Sequence, residues 1–128
     1  NKSYDGILLS KPHQANVVVM LTYKNFRLLL TGDMEKPVED ALIREGPDLD
    51  ADVLKVGHHG SKTSTTTGFL EKVSPEVAII QVGKNRYGHP TAEVLKRLEN
   101  FGVKYYRNDL DGTVKVVSDC ESYQVIKN

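Results

Sequence analysis

The sequence predicts an α/β fold with mixed sheets and flanking helices, and three observations carry that reading. A strand, a glycine-bearing polar segment and a helix follow one another along residues 26–45, and the same succession recurs along 76–102. Residues 77–82, Val77-Ala78-Ile79-Ile80-Gln81-Val82, form an apolar run too continuous to alternate, as expected of a strand covered on both faces. Residues 16–23 and 26–31 are rich in Val, Leu and Thr on either side of Lys24-Asn25, the pattern of a hairpin of buried strands.

In chain order, residues 7–9 suit a short strand that stops before Lys11-Pro12, because proline restricts its predecessor and lacks a donor. After the hairpin, Gly32-Asp33 ends the second strand. Val38, Ala41 and Leu42 then recur at helical spacing over 35–45, and Gly46-Pro47 stops that helix. An acidic loop, Asp48-Leu49-Asp50, leads to a buried strand at 52–56. The polar run 61–67 precedes Phe69, Leu70 and Val73, a short helix ending before Pro75. Beyond the 77–82 strand lies a glycine-rich loop, and Thr91 is placed to cap a helix with Glu93 in its first turn and Val94, Leu95, Leu98 and Phe101 along it, as far as Gly102. Residues 103–107, 112–118 and 122–126 read as three short strands. The first two are expected to join through a hairpin turn at Asn108-Asp109-Leu110-Asp111-Gly112, which lacks the distal glutamate and full ligand series of a calcium loop.

At 128 residues with 39% hydrophobic content, the chain amounts to one domain or part of one, with a modest core. No repeat and no long linker divides it. Seventeen basic and seventeen acidic residues cancel, which excludes a global pull towards nucleic acid or anionic membranes, so an anionic substrate must be held by local features. The single cysteine, Cys120, has no internal partner for a disulfide and suits a surface or strand end. No apolar run is long enough to span a membrane. The polar start, Asn1-Lys2-Ser3-Tyr4-Asp5, has neither a signal-peptide apolar region nor an initiating methionine, so a piece of a longer protein is expected.

Three segments share one grammar: Thr31-Gly32-Asp33, Gly57-His58-His59-Gly60 and Gly88-His89-Pro90 each place a glycine and a ligand-type residue after a buried strand. Ligands gather outside the carboxyl ends of strands in open α/β sheets, so Asp33, His58, His59 and His89 are expected in one neighbourhood. Carboxylate with imidazoles suits Zn²⁺, Mn²⁺ or Fe, and an aspartate can bridge two metals ~3.5 to 4 Å apart. Such a pair activates water for hydrolysis, and an adjacent unbound imidazole can protonate a leaving group. Each motif also has a plainer reading. Asp33 alone suits a helix N-cap, His89-Pro90 a solvated turn, Lys84 and Arg86 a wet loop, and His13 a surface turn. Two histidines between glycines have no packing rationale at the end of a core strand. Ser61 lacks the Gly-x-Ser-x-Gly surroundings of a nucleophile, so a capping or phosphate-contacting hydroxyl fits it better.

These residues give the chain a resemblance to the metallo-β-lactamase superfamily, and more narrowly to the C-terminal metallo-β-lactamase-like domain of the ComEC family of bacterial competence proteins. It rests on Leu28-Leu29-Leu30-Thr31-Gly32-Asp33, on Asp52 through Ser64 with its Gly57-His58-His59-Gly60-Ser61-Lys62 core, and on Gly83-Lys84-Asn85-Arg86-Tyr87-Gly88-His89-Pro90. It covers about residues 16–118. The resemblance implies part of an αββα sandwich with a two-metal zinc or manganese site at one edge. Asp33 and His59 would be metal ligands, His58 a ligand or catalytic group, and His89 a ligand, a catalytic group or a substrate-contacting residue. Ser61, Lys62, Asn85 and Arg86 are expected to meet phosphate. It further implies a role in handling DNA at the extracytoplasmic face of a bacterial membrane, within a protein that includes a membrane channel. The family's first ligand run, His-x-His-x-Asp-His or a close variant, is missing. The chain therefore matches the C-terminal half of that domain, and the soluble fragment alone is expected to bind metal weakly and to be inactive. The missing N-terminal half, or self-association, would cover its inner sheet face. A secreted metallohydrolase of another phosphoester and a non-catalytic structural or DNA-guiding module remain competing expectations.

Overall fold

A computed structural model of the chain describes residues 16–119 and 121–128. The strand at 7–9, the Lys11-Pro12 stop, His13 and Cys120 lie outside the described residues. The hairpin forms as β1 (Val19–Tyr23) and β2 (Phe26–Leu30), paired antiparallel from Val19 opposite Leu30 to Tyr23 opposite Phe26. Three further strands, β3 (Val53–Lys55), β4 (Val77–Ile80) and β5 (Lys104–Arg107), add in parallel, so the strands run β1-β2-β3-β4-β5 in one mixed sheet.

Parallel neighbours need crossovers, and helices α1 (Lys36–Glu45), α2 (Thr67–Val73) and α3 (Ala92–Asn100) supply them. Pro37 sits in the first turn of α1, where a missing N–H costs nothing, and Gly46 ends the helix in the left-handed region with its N–H on the Leu42 carbonyl. The residue that caps α1 is Glu35, so the reading of Asp33 as an N-cap is corrected. Thr66 caps α2 by accepting the Phe69 N–H. Thr91 occupies the N-cap position of α3 as expected, but its hydroxyl donates to the Gly60 carbonyl instead.

Strand register decides which residues share a face. Leu29, Leu54 and Ala78 stand in one row, on the side where Val38 of α1, Phe69, Leu70 and Val73 of α2, and Val94 and Leu98 of α3 bury themselves with them. Leu28, Val53 and Val77 stand on the opposite side with Phe26. There a second, two-stranded sheet, β6 (Val114–Ser118) with β7 (Tyr123–Lys127), brings Val116, Tyr123 and Val125 against them.

Two expectations change. β1 is not a buried strand: it is the sheet edge, and Val19, Leu21 and Tyr23 on it are exposed. Residues 103–107 do not form a hairpin with 112–118. They pair with β4, and the intervening acidic residues form a short helical turn, α4 (Asn108–Asp111). Arg107 dictates this, because its guanidinium takes both carboxylate oxygens of Asp109 and its N–H donates to Asp111 Oδ2. Among the described residues no helix is long and apolar enough to cross a membrane.

Candidate functional site

Because β2, β3 and β4 are parallel neighbours, the loops that leave their C-terminal ends lie side by side, and backbone hydrogen bonds lock them together. The His58 N–H donates to the Gly32 carbonyl at 3.1 Å, and the Thr91 N–H donates to the Gly60 carbonyl at 2.9 Å. Asn16 holds the first loop from its other side, donating to the Thr31 carbonyl at 2.6 Å and accepting the Asp33 N–H at 3.0 Å. The flanking glycines follow from this crowding. A Cβ on Gly57 would stand 2.7 Å from the Met34 carbonyl oxygen, and one on Gly60, whose φ is +81°, would stand 2.6 Å from Pro90 Cβ.

Between those glycines the chain makes a 3₁₀ turn, Gly57–Gly60, with His58 and His59 both in the left-handed region at φ 44° and 53°. That conformation costs a non-glycine residue roughly 1–2 kcal/mol. Each imidazole is anchored by its Nδ1. His59 Nδ1 lies 2.6 Å from the Gln81 carbonyl, an atom that can only accept, so the proton is on Nδ1. His58 Nδ1 lies 2.9 Å from Glu35 Oε1, which also accepts the Thr63 hydroxyl at 2.8 Å.

The expected neighbourhood forms. His59 Nε2 stands 3.5 Å from Asp33 Oδ1, the His58 and His59 ring centres are 6.3 Å apart, and those of His58 and His89 are 5.6 Å apart. With its proton on Nδ1, a neutral His59 turns an Nε2 lone pair towards a carboxylate oxygen. Both side chains are about half-exposed, and a proton or a cation shared between these two Lewis bases would make their approach favourable. Asp33 and His59 have the donor atoms to hold a metal as two of its ligands. Among the described residues no group of three or more His, Cys, Asp or Glu side chains is arranged to hold one, so further ligands would have to come from elsewhere.

Burial lowers the pKa of His89, and repulsion from His58 and His59 lowers it further. Lys55, half-buried in β3, donates to the Gly32 carbonyl at 2.8 Å; burial lowers its pKa while the nearby Asp33 charge opposes that shift.

The other expected contacts differ in what they offer. Lys62 and Arg86 are exposed. Ser61 is buried, its hydroxyl 2.9 Å from that of Thr63. Asn85 clamps its own loop, accepting the N–H groups of Tyr87 and His89 and donating to the carbonyls of Gly83 and His89.

Sequence reasoning passed over Glu35, Lys55 and Thr63, and also the two charges that shape the 61–66 loop from behind. Glu39 is fully buried on α1, and its carboxylate accepts the N–H groups of Thr65 and Thr66 and the Thr66 hydroxyl. Arg97 on α3 donates to the carbonyls of Ser64, Thr65 and Lys62. The available signals were a lysine inside an apolar strand and a glutamate next to Val38 on the apolar side of a helix.

No protein-family model matches the chain. It is 40% identical over 104 residues to ComE operon protein 3 of Bacillus subtilis, which covers 80% of the chain and 13% of that protein. It is 43% identical over 90 residues to competence protein ComA of Neisseria gonorrhoeae, covering 69% of the chain and 13% of the relative. Recombination protein 2 of Haemophilus influenzae is 41% identical over 90 residues, 70% of the chain and 11% of the relative. The chain thus spans about an eighth of the length of the curated relatives it matches.

Proposed function

We propose, from this homology to one segment of bacterial competence proteins, that the chain is the C-terminal half of a metallo-β-lactamase-like domain. In this reading it supplies part of the active centre of a metal-dependent DNA phosphodiesterase that works in DNA uptake. The observation that carries the reading is the facing pair of Asp33 Oδ1 and His59 Nε2 at 3.5 Å, with His58 and His89 beside it.

In the complete domain, Asp33 and His59 would hold zinc or manganese together with an upstream ligand run. The ion, when bound, lowers the pKa of a water and offsets charge developing on a phosphoryl oxygen. The chain's own residues orient the rest. Glu35 fixes His58 through Nδ1, which leaves Nε2 as the nitrogen able to pass a proton to a leaving oxygen. Lys55 and the exposed Lys62 and Arg86 place positive charge where phosphates would lie. The N-terminal half of the same domain would cover the sheet face that bears Val19, Leu21 and Leu30, and the parent protein would present the domain beside its membrane channel on the extracytoplasmic side. The isolated chain, with two ligands in place, would bind metal weakly and turn over little or no DNA.

Metal analysis and DNA-cleavage assays on the complete domain, wild type against Asp33→Ala, test the reading. Loss of a ligand should reduce metal affinity by more than the roughly 10–100-fold that removing an outer hydrogen-bond partner costs, and cleavage should disappear with the metal. Unchanged metal content and cleavage in the variant would sink it. A wild-type domain that binds DNA but neither binds metal nor cleaves would make this a DNA-guiding module.

A further inference from the structure

One aromatic ring beside the site stands almost wholly open to solvent. Tyr87 is 82% exposed at the tip of the loop between β4 and α3. Its backbone is nonetheless fixed, because its N–H donates to Asn85 Oδ1 at 3.0 Å and the same oxygen accepts the His89 N–H at 3.1 Å. The Asn85 amide closes the loop from the other side, donating to Gly83 and His89. The ring lies 5.8 Å from that of His89 at a tilt of 30°, and His89 in turn meets His58 at 5.6 Å. A file of rings therefore runs from solvent to the facing ligand pair, and the cationic Lys84 and Arg86 are exposed on the same loop. An open aromatic face carried on a hydrogen-bonded loop and flanked by positive charge is the arrangement that stacks a nucleobase while neighbouring cations meet the backbone phosphates.

The geometry points to Tyr87 as a stacking platform for an exposed nucleobase, which seats the sugar-phosphate next to it against His89 and the facing pair. This inference rests on the nucleic-acid reading above and names what that reading leaves open, a contact with a base rather than with the phosphate backbone alone. The open π-face can come from an unpaired strand or from the terminal pair of a duplex, and both present the same chemistry.

Fluorescence anisotropy with the complete domain in chelator-containing buffer, where no cleavage confounds binding, tests it. The probes are a labelled oligothymidylate, the same oligomer with abasic sites, a blunt duplex, and a duplex closed by loops at both ends. Tyr87→Ala should weaken binding of the base-bearing strand by roughly 5- to 150-fold, the range set by one stacked base, and leave the abasic strand unchanged. Tyr87→Phe should retain wild-type affinity. A loss for the blunt duplex that the closed duplex does not share assigns the terminal pair as the source, and a loss confined to the single strand assigns an unpaired base. Equal weakening of base-bearing and abasic strands, or no change in either, overturns the stacking role and leaves the nucleic-acid reading standing. A wild-type complete domain that binds none of the probes overturns both. Asn85 holds the loop without the tyrosine ring, so the alanine variant should keep the wild-type circular dichroism spectrum and melting profile.

Discussion

On the helix-covered side of the sheet, Leu29, Leu54 and Ala78 stand in one row and are all at most 1% exposed. On the other side, the neighbouring row holds Val19 and Leu30, 44% and 37% exposed, and β1 also presents Leu21 and Tyr23 to solvent. The residue types scarcely differ between the two sides. What differs is the chain that follows each strand: α1, α2 and α3 all return over one face, whereas the β6–β7 hairpin reaches only the part of the other face around Phe26, Val53 and Val77. Local sequence makes both faces apolar, and what the chain lays over each one, helices on the first and the hairpin on part of the second, determines which residues are dry.

The largest effect should come from the helix-covered face. Phe69 on α2 is 1% exposed within that core, and Phe69→Ala should cost about 3–5 kcal/mol, read as a fall in the urea midpoint with an unchanged slope. A loss below about 1 kcal/mol would mean that this face is not the principal core.

Between the two faces stands a smaller, polar effect at the site's rear wall. Glu39→Ala removes the acceptor of the Thr65 and Thr66 N–H groups and should cost about 1–3 kcal/mol. Its pH dependence has a definite sign. Burial, the largest cause, raises the Glu39 pKa above the ordinary 4.5, against hydrogen bonds from Thr66 and Thr65 and the Arg97 charge. The folded state then holds the proton more tightly than the unfolded chain. The stability this contributes is complete below pH 4.5 and is lost as pH rises through the raised value. Glu39→Gln lacks that titration, so denaturation midpoints from acid to neutral pH should show the wild type losing ground to it as pH rises. A constant difference would refute the assignment.

How much of this was legible in the residues follows from what each signal encodes. Helical spacing at Val38, Ala41 and Leu42, and the unbroken apolar run at 77–82, marked elements whose burial the structure bears out. Strand-end glycines with ligand-type side chains brought Asp33, His58, His59 and His89 into one neighbourhood, because parallel neighbours place their exits together. Glu35 and Lys55 were not legible as site residues. Glu35 reaches His58 across 23 positions of sequence and Lys55 reaches Gly32 across the same span, and no local pattern encodes either distance. The tail was misread for a related reason: a turn-like acidic stretch looks the same whether its carboxylates face solvent or fold back on Arg107.

The smallest expected change in stability has the most to say about the uncovered face. Val19→Thr keeps and Leu21→Thr introduces a β-branched side chain on an edge strand, so strand propensity is preserved while apolar surface is removed. If that face is open to water within one chain, each change should alter stability by no more than about 0.5 kcal/mol. Sedimentation velocity separates this from association. A wild-type chain that pairs through this face should sediment faster as concentration rises, and the double variant should remain monomeric over the same range. A loss above about 1.5 kcal/mol that does not depend on concentration would mean instead that the chain already covers Val19 and Leu21 itself, and the contrast between the two faces would disappear.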